Sequence, residues 1–312
     1  MSSSDRVDLT VQVGALRLRN PIITAGGTFG YGVEFAHLVD LNRLGGIVTK
    51  GISKEPIEGA PAPRLCETAS GMLNAVGLQN VGVEAFLRDK LPLLRKYNTH
   101  VIANVFGYCL EEYVEVIERL EEGEGISAYE LNISCPNVKM GGMQFGSDPG
   151  SVKEVVGAAR RAALRRPLWV KLMPLVTDIG QIAKAAESAG ADALTVANTY
   201  PAMAVDVRTG KSRIGNATGG LSGPAIKPIT LRLVWEAGKA VKLPILGLGG
   251  AGTAQDVLEY MAVGASAVQV GTASFSDPKA SERIAGGLER ALKEAKVLTF
   301  SEIRKKFLVE NS

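Results

Sequence analysis

Continuous runs of apolar residues recur along the chain, and segments with helical periodicity lie between them. Eight runs stand out: PIITAG from Pro21, GGIVTK from Gly45, HVIANVF from His100, AYELNIS from Ala128, LWVKLMP from Leu168, ALTVANT from Ala193, PILGLGG from Pro244 and AVQVGTA from Ala267. Runs that do not alternate are typical of strands covered on both faces, as in parallel sheets. EEYVEVIERLEE from Glu111 and DIGQIAKAAESAG from Asp178 have helical spacing. The pattern predicts one α/β domain over residues 1–312, folded as a (β/α)8 TIM barrel.

The spacing of these runs indicates where a ligand would bind. Successive runs start 24, 55, 28, 40, 25, 51 and 23 residues apart, so long loops follow the second, fourth and sixth strands. Barrel active sites are built at the C-terminal ends of strands, and long connections are usually functional. We therefore expect functional residues after Lys50, Ser134 and Thr199. The opening segment VDLTVQVGALRLRN alternates and turns at Gly14, which predicts an N-terminal β-hairpin that closes the barrel floor.

Composition and charge narrow the class of protein. Apolar residues make up 46% of the chain, and 35 basic against 32 acidic residues give a net charge of +3. This balance predicts a packed core and no nucleic-acid partner. The chain has no apolar stretch of about 20 residues and no apolar leader, so we expect no membrane partner. Three cysteines without a CxxC motif indicate a cytoplasmic protein with no metal site of its own.

A glycine-rich segment, GLGGAGTAQD from Gly247, matches the pattern G-x-G-x-x-G. A dinucleotide-binding fold would need an acidic residue about 20 positions later, and none is present there. The segment instead follows the seventh predicted strand, and the loops after strands seven and eight of barrels commonly bind phosphate. Glycines that only form a tight turn are the alternative. The predicted phosphate cradle consists of Gly249, Gly250, Gly271 and Thr272.

Two lysines and one cysteine lie at predicted strand ends. Lys50 and Lys171 are surrounded by apolar residues, so each needs an anionic partner or a lowered pKa. Schiff-base chemistry at Lys171 is an alternative function, because some barrel aldolases use such a lysine. Cys135 directly follows the fourth run and precedes a glycine-rich segment over 138–149, which is typical of a lid that excludes water. A buried, inert thiol is the ordinary interpretation of a cysteine.

Asparagine recurs near strand ends, although it is a poor strand former. An asparagine amide offers both a donor and an acceptor to a ligand. A planar ring rich in amide groups, such as a flavin or a pyrimidine, would satisfy several of them at once. The residues concerned are Asn74, Asn104, Asn132 and Asn198.

Several longer motifs carry a family resemblance: ETASGMLNAVGLQN from Glu67, NISCPNVKMGGMQFGSDP from Asn132, VANT from Val196, GGLSGPAIKP from Gly219 and LGLGGAGTAQD from Leu246. With these motifs the chain resembles the class 1 dihydroorotate dehydrogenases over nearly its full length. The form GMLNAVGLQN is most similar to the NAD-linked class 1B catalytic subunit. The resemblance implies an FMN-dependent oxidoreductase of de novo pyrimidine biosynthesis that oxidises (S)-dihydroorotate to orotate, with hydride transfer to N5 of FMN.

The resemblance also implies a role for each residue at a matching position. Cys135 would be the general base that takes the C5 proton of the substrate. The implied substrate-binding residues are Lys50, Asn74, Ala75, Val76, Gly77, Leu78, Asn132, Asn137, Asn198 and Thr199. The implied FMN-binding residues are Gly26, Lys50, Gly51, Asn104, Asn132, Lys171, Ala197 and Gly223, with the phosphate on Gly249, Gly250, Gly271 and Thr272.

The class 1B resemblance further implies partners. Two catalytic chains would form a homodimer, and two electron-transfer subunits carrying FAD and a [2Fe–2S] cluster would complete a heterotetramer that reduces NAD. Three alternatives stay open at this point. The chain could be another FMN barrel oxidoreductase acting on a reduced pyrimidine, a Schiff-base aldolase using Lys171, or a flavin carrier without catalytic activity.

Overall fold

The computed structural model describes residues 7–134 and 145–310. The strands in these ranges are β1 (Val11–Val13), β2 (Leu16–Leu18), β3 (Ile22–Thr24), β4 (Gly46–Val48), β5 (Leu65–Thr68), β6 (Gly71–Asn74), β7 (His100–Val105), β8 (Ala128–Asn132), β9 (Leu168–Lys171), β10 (Ala193–Val196), β11 (Tyr200–Ala202), β12 (Val205–Asp206), β13 (Lys211–Ser212), β14 (Gly219–Ser222), β15 (Ile245–Leu248) and β16 (Ala267–Val270). The helices are α1 (Gly82–Ala85), α2 (Leu91–Leu94), α3 (Leu110–Glu121), α4 (Pro149–Ala162), α5 (Ile179–Ser188), α6 (Lys227–Ala240), α7 (Ala254–Ala262), α8 (Ala273–Ser276), α9 (Ala280–Glu294) and α10 (Phe300–Glu310).

Eight parallel strands close into a barrel in the order β3, β4, β7, β8, β9, β10, β15 and β16. This closed sheet confirms the predicted (β/α)8 barrel, and each barrel strand lies within one of the eight apolar runs. Residues on both faces of the strands are buried, as at Ile22 and Ile23 of β3. Side chains fill the barrel interior while helices cover its outer surface, which is why the runs do not alternate.

The two helices predicted from periodicity are α3 and α5. α5 begins after Asp178, whose carboxylate accepts hydrogen bonds from the backbone N–H groups of Gly180 and Gln181. Such a carboxylate satisfies donors that would otherwise lack a partner at the start of the helix. The buried face of α3 consists of residues three or four positions apart, as the spacing predicts. They are Tyr113, Val116, Ile117 and Leu120.

The N-terminal hairpin closes one end of the barrel, as predicted. β1 and β2 pair antiparallel, and Gly14 between them has a φ of 56°. The side chains of Val13 and Leu18 are fully buried in a cluster with Ile102, Trp169 and other residues from every barrel strand. Barrel strands therefore begin on an apolar floor, and ligands reach the interior from the opposite, C-terminal end.

A second sheet lies over that C-terminal end. Its four antiparallel strands follow the order β11, β14, β6 and β5, and they come from the long connections after the second and sixth barrel strands. The sheet joins residues that are distant in sequence. For example, the side-chain Nδ2 of Asn74 donates a hydrogen bond to the carbonyl of Gly220 at 3.0 Å. The sequence predicts the long connections but not this sheet. None of the helices described between residues 7 and 310 is long and apolar enough to cross a membrane.

Candidate active site

A cavity of about 360 Å³ opens at the C-terminal end of the barrel, beneath the four-stranded sheet. Its volume is within the range of small-molecule and cofactor sites. Residues from all eight barrel strands or from the loops after them line this cavity, together with residues of the four-stranded sheet. The predicted site residues that line it are Gly26, Lys50, Gly51, Asn74, Ala75, Val76, Gly77, Leu78, Asn104, Asn132, Lys171, Asn198, Thr199, Gly249, Gly250, Gly271 and Thr272.

Four predicted site residues are not among the residues that line the cavity. Ala197 is fully buried just after β10. Gly223 lies behind Gly250, since a methyl group on Gly250 would come within 2.6 Å of the Gly223 carbonyl oxygen. Cys135 and Asn137 lie outside the described residues, so the roles assigned to them stay predictions.

Lys50 follows β4 and lines the cavity. Burial lowers the pKa of its ammonium group, the nearby Arg64 guanidinium lowers it further, and the carboxylate of Glu34 opposes both effects. Arg64 is fixed by hydrogen bonds to the carbonyls of Glu58 and Ala60, at 2.9 and 2.6 Å. Two cations in this region favour an anionic group such as a carboxylate. Sequence reasoning missed Arg64, because nothing nearby in the chain indicates its proximity to Lys50.

The loop after β6 turns along the cavity wall. Gly77 and Leu78 both have positive φ angles, 73° and 59°. The buried side chain of Asn80 stabilises this turn. Its Oδ1 accepts hydrogen bonds from the backbone N–H groups of Ser53 and Gly82, while its Nδ2 donates to the carbonyl of Leu78 at 2.9 Å. Asn80 therefore positions the backbone of Val76 to Leu78, and sequence reasoning missed it among the other asparagines.

Asn132 and Asn198 are joined by a serine. The hydroxyl of Ser134 donates to Oδ1 of Asn132 at 2.7 Å and accepts from Nδ2 of Asn198 at 2.6 Å. The phenol of Tyr113 donates to the backbone carbonyl of Asn132 and supports the end of β8 from the helix side. These bonds leave Nδ2 of Asn132 available to a ligand in the cavity.

A polar layer lies inside the barrel, directly below the cavity. Its members are buried, with Lys171 4% exposed and Glu130 fully buried. Glu130 accepts hydrogen bonds from Asn104, Thr195 and Gln269. A glutamate within the continuous apolar run AYELNIS was the available signal for this layer, and sequence reasoning did not use it.

The glycines of the predicted phosphate cradle differ in how closely other protein atoms surround them. At Gly249 a methyl group would come within 2.5 Å of Oγ1 of Thr230, so close packing with the protein requires glycine there. At Gly271 the nearest atom to such a methyl group would be Cβ of Ala25, at 3.5 Å. A methyl group at 271 would therefore make only ordinary van der Waals contacts, so protein packing does not require glycine there, and Gly271 lines the cavity. A ligand that approaches the backbone closely, such as a phosphate, fits this space.

The third glycine of the G-x-G-x-x-G pattern has another partner. The N–H of Gly252 donates to the carboxylate of Asp256 at 2.9 Å, and Thr253 and Asp256 form a capping box at the start of α7. The N-terminus of α7 is thus satisfied by its own chain. This arrangement argues against the dinucleotide interpretation, and the predicted phosphate cradle is left with the backbone near Gly249, Gly250 and Gly271.

Comparison with known proteins agrees with the geometry. The family model for dihydroorotate dehydrogenase matches residues 8–292. A relative from Trichlorobacter lovleyi, named dihydroorotate dehydrogenase B (NAD(+)), catalytic subunit, is 54% identical over 295 residues, 95% of this chain and 97% of that relative. A relative from Pelobacter propionicus with the same name is 54% identical over 296 residues, with the same coverage of both chains.

A third relative has a different name. The protein from Solibacter usitatus, provisionally named dihydroorotate dehydrogenase A (fumarate), is 55% identical over 284 residues, 91% of this chain and 93% of that relative. Identity of this level over most of the chain, together with the match to the family model, is decisive for membership. The chain belongs to the dihydroorotate dehydrogenase family.

Proposed function

We propose that this chain oxidises (S)-dihydroorotate to orotate in pyrimidine biosynthesis, with FMN as its resident cofactor. The observation that carries the proposal is the convergence in one cavity of a lysine, several asparagine amides and a glycine-rich cradle. The lysine and the asparagine amides suit a substrate with one carboxylate and a ring of amide groups. The asparagine amides and the glycine-rich cradle suit a cofactor with a planar ring and a phosphate.

The residues present fit FMN. Gly249, Gly250, Gly271 and Thr272 would hold its phosphate. This assignment is supported by Gly271, which lines the cavity although protein packing does not require glycine there. Gly26, Gly51, Asn104, Asn132 and Lys171 would surround its ring, with Ala197 and Gly223 behind them. When bound, FMN supplies a hydride acceptor at N5 for the hydrogen on C6 of dihydroorotate. The buried ammonium of Lys171 would offset the negative charge that this hydride brings to the site.

The substrate would lie against the loop after β6 and the ends of β8 and β10. Lys50 would bind the carboxylate, and Asn74, Asn132, Asn137, Asn198 and Thr199 would bind the ring together with the backbone of residues 75–78. Cys135 would accept the proton from C5. A thiol with an ordinary pKa of about 8.5 is a workable base whose thiolate fraction increases at alkaline pH.

Continued turnover would require an external acceptor for the electrons. We propose NAD as the final acceptor, reached through an electron-transfer subunit with FAD and a [2Fe–2S] cluster in a heterotetramer built on a catalytic homodimer. The names of the relatives from Trichlorobacter lovleyi and Pelobacter propionicus support this choice, because both specify NAD(+) and a catalytic subunit. Fumarate is the second candidate acceptor, favoured by the name of the relative from Solibacter usitatus.

Steady-state turnover of the purified, FMN-loaded chain tests the proposal. We expect orotate to form from dihydroorotate with an artificial dye as acceptor, and not with NAD until the electron-transfer subunit is added. Reduction of fumarate by the chain alone would replace NAD as the acceptor. A loaded chain that forms no orotate with any acceptor would contradict the proposal. A chain that binds no FMN and forms a borohydride-trapped adduct at Lys171 would support the aldolase alternative.

A further inference from the structure

Glu130 lies in the barrel interior, one layer below the cavity. It precedes Asn132 on β8 by two residues, so both side chains are on the inner face of the strand. Asn132 lines the cavity, whereas Glu130 is fully buried and does not. An acidic side chain at such a position needs hydrogen-bond partners, because burial of an unsatisfied carboxylate is strongly unfavourable. The proposed reaction gives Glu130 no direct task.

Both carboxylate oxygens of Glu130 accept hydrogen bonds. Oε1 accepts from Nδ2 of Asn104 at 2.7 Å. Oε2 accepts from Oγ1 of Thr195 at 2.7 Å and from Nε2 of Gln269 at 2.5 Å. Of these three partners only Asn104 lines the cavity. Oε1 therefore connects the interior layer to the ligand site through one side chain.

This contact determines which end of the Asn104 amide faces which neighbour. Oε1 of Glu130 is the acceptor of this hydrogen bond, so Asn104 presents its donor, Nδ2, to Glu130. Its Oδ1 then lies on the side of Gly51, where a methyl group on that glycine would be 3.3 Å from the oxygen. Gly51 lines the cavity. Asn104 consequently offers an acceptor beside Gly51, while its Nδ2, which donates to Glu130, lies on the side of Gly26.

We propose that Glu130 is a positioning residue that fixes the donor–acceptor polarity of Asn104 for a ring N–H of the bound flavin. The inference rests on the proposed function, since it takes FMN as the ligand. Nothing in the sequence motifs or the relatives' names assigns a role to Glu130. In this role the Glu130 carboxylate would orient the side-chain amide of Asn104 and would not itself contact the cofactor.

The substitution E130Q would reverse this polarity. A glutamine amide has one acceptor oxygen and one donor nitrogen. With its oxygen facing Thr195 and Gln269, its nitrogen would face Nδ2 of Asn104, and two donors would oppose each other. Asn104 would have to rotate its amide and present Nδ2 to the ligand. The substitution N104D alone would instead place two carboxylates at hydrogen-bond distance, which is also unfavourable.

The double variant E130Q/N104D would restore the arrangement with the donor and acceptor exchanged. The introduced amide nitrogen would donate to one oxygen of the introduced carboxylate, and the other oxygen would face the cavity as an acceptor. We expect FMN to dissociate about tenfold more readily from each single variant. We expect the double variant to bind FMN within about threefold of the wild type, a non-additive recovery that separate defects would not produce.

The measurement is the FMN dissociation constant of five purified proteins, namely the wild type, E130Q, N104D, the double variant and T195V, from the fluorescence of released flavin. The flavin absorption spectrum and the thermal midpoint of each protein are measured as well. T195V is the matched control, because it removes a hydrogen bond to Oε2 of Glu130 and leaves the hydrogen bond from Asn104 to Oε1 in place. We expect T195V to retain FMN within about twofold of the wild type. If E130Q does not fold, tighter FMN binding by the double variant than by N104D supports the proposal.

Three results would overturn it. E130Q could bind FMN as tightly as the wild type, the double variant could bind FMN no better than the single variants, or T195V could lose as much affinity as E130Q. A wild-type chain that binds no FMN would contradict the proposed function itself, before any variant is compared.

Discussion

The hydroxyl of Ser134 donates a 2.7 Å hydrogen bond to Oδ1 of Asn132. Because that oxygen is occupied, the amide N–H groups of Asn132 are available to a ligand. The same hydroxyl accepts a hydrogen bond from Asn198, whose Oδ1 is in turn occupied by the backbone N–H of Thr199. One buried serine thus sets the orientation of two amides that we propose to hold the pyrimidine ring.

Substitution of Ser134 by alanine should weaken substrate binding. Without the hydroxyl, both amides are free to rotate, so we expect KM for dihydroorotate to rise about tenfold with a smaller change in kcat. Steady-state kinetics with a dye acceptor measures both constants. Ser281→Ala is the matched control, because Ser281 is a buried serine of α9 that is not among the residues lining the cavity. Equal values of KM and kcat for Ser134→Ala and the wild type would show that the amides of Asn132 and Asn198 keep their orientation without the Ser134 hydroxyl.

Activity should fall at alkaline pH as Lys50 loses its proton. Burial and the Arg64 guanidinium lower the pKa of Lys50 from its ordinary value of 10.5, so the cation that binds the substrate carboxylate is lost at a lower pH than for a free lysine. Ionisation of the Cys135 thiol acts in the opposite direction at lower pH. We therefore expect a bell-shaped profile of kcat/KM between about pH 7 and about pH 10.

A lysine-to-arginine variant identifies the falling limb of that profile. The guanidinium of Lys50→Arg stays charged across this range, so the limb should disappear even if the activity at neutral pH is lower. A falling limb of unchanged position in Lys50→Arg would assign it to another group.

Gly271→Ala should separate cofactor binding from stability. A methyl group at 271 would make only ordinary van der Waals contacts, with no protein atom closer than 3.5 Å, whereas one at Gly250 would approach the Gly223 carbonyl to 2.6 Å at a φ of 71°. We expect Gly271→Ala to keep the thermal midpoint of the FMN-free protein within about 2 °C while FMN binding weakens about tenfold or more, and Gly250→Ala to lose stability as well. Unchanged FMN affinity in Gly271→Ala would remove this residue from the phosphate cradle.

Cys135→Ala should retain FMN and lose turnover. General-base catalysis contributes on the order of 100-fold or more, so kcat should fall by at least that factor while the flavin spectrum stays the same. Cys109→Ala provides the control, because this cysteine precedes α3 and does not line the cavity. Turnover of Cys135→Ala at the wild-type rate would exclude the thiol from the mechanism.

The barrel could be predicted from the sequence because its strands are buried on both faces and hence continuous in their apolar character. The hairpin with Val13 and Leu18 could be predicted because its residues alternate around a glycine. The sheet over the cavity could not. Its strand β14 reads GGLS, which has little strand propensity, and it is stabilised by pairing with β6 about 150 residues earlier in the chain.

The candidate site likewise has residues that could be predicted from the sequence and residues that could not. Glycines, lysines and asparagines at strand ends were predicted, because the parallel barrel brings all strand ends together and the family motifs name them. Glu130, Ser134 and Arg64 were missed, since each acts through partners on other strands or loops. A polar residue inside an apolar run, as in AYELNIS, is the signal that points to such an interior layer.

Anaerobic addition of dihydroorotate to the FMN-loaded chain tests the central claim most directly. The account predicts that the yellow colour of the oxidised flavin bleaches, with about one orotate formed per flavin reduced, and that the electron-transfer subunit is not needed for this half-reaction. A flavin that stays oxidised in the presence of excess dihydroorotate would contradict the account.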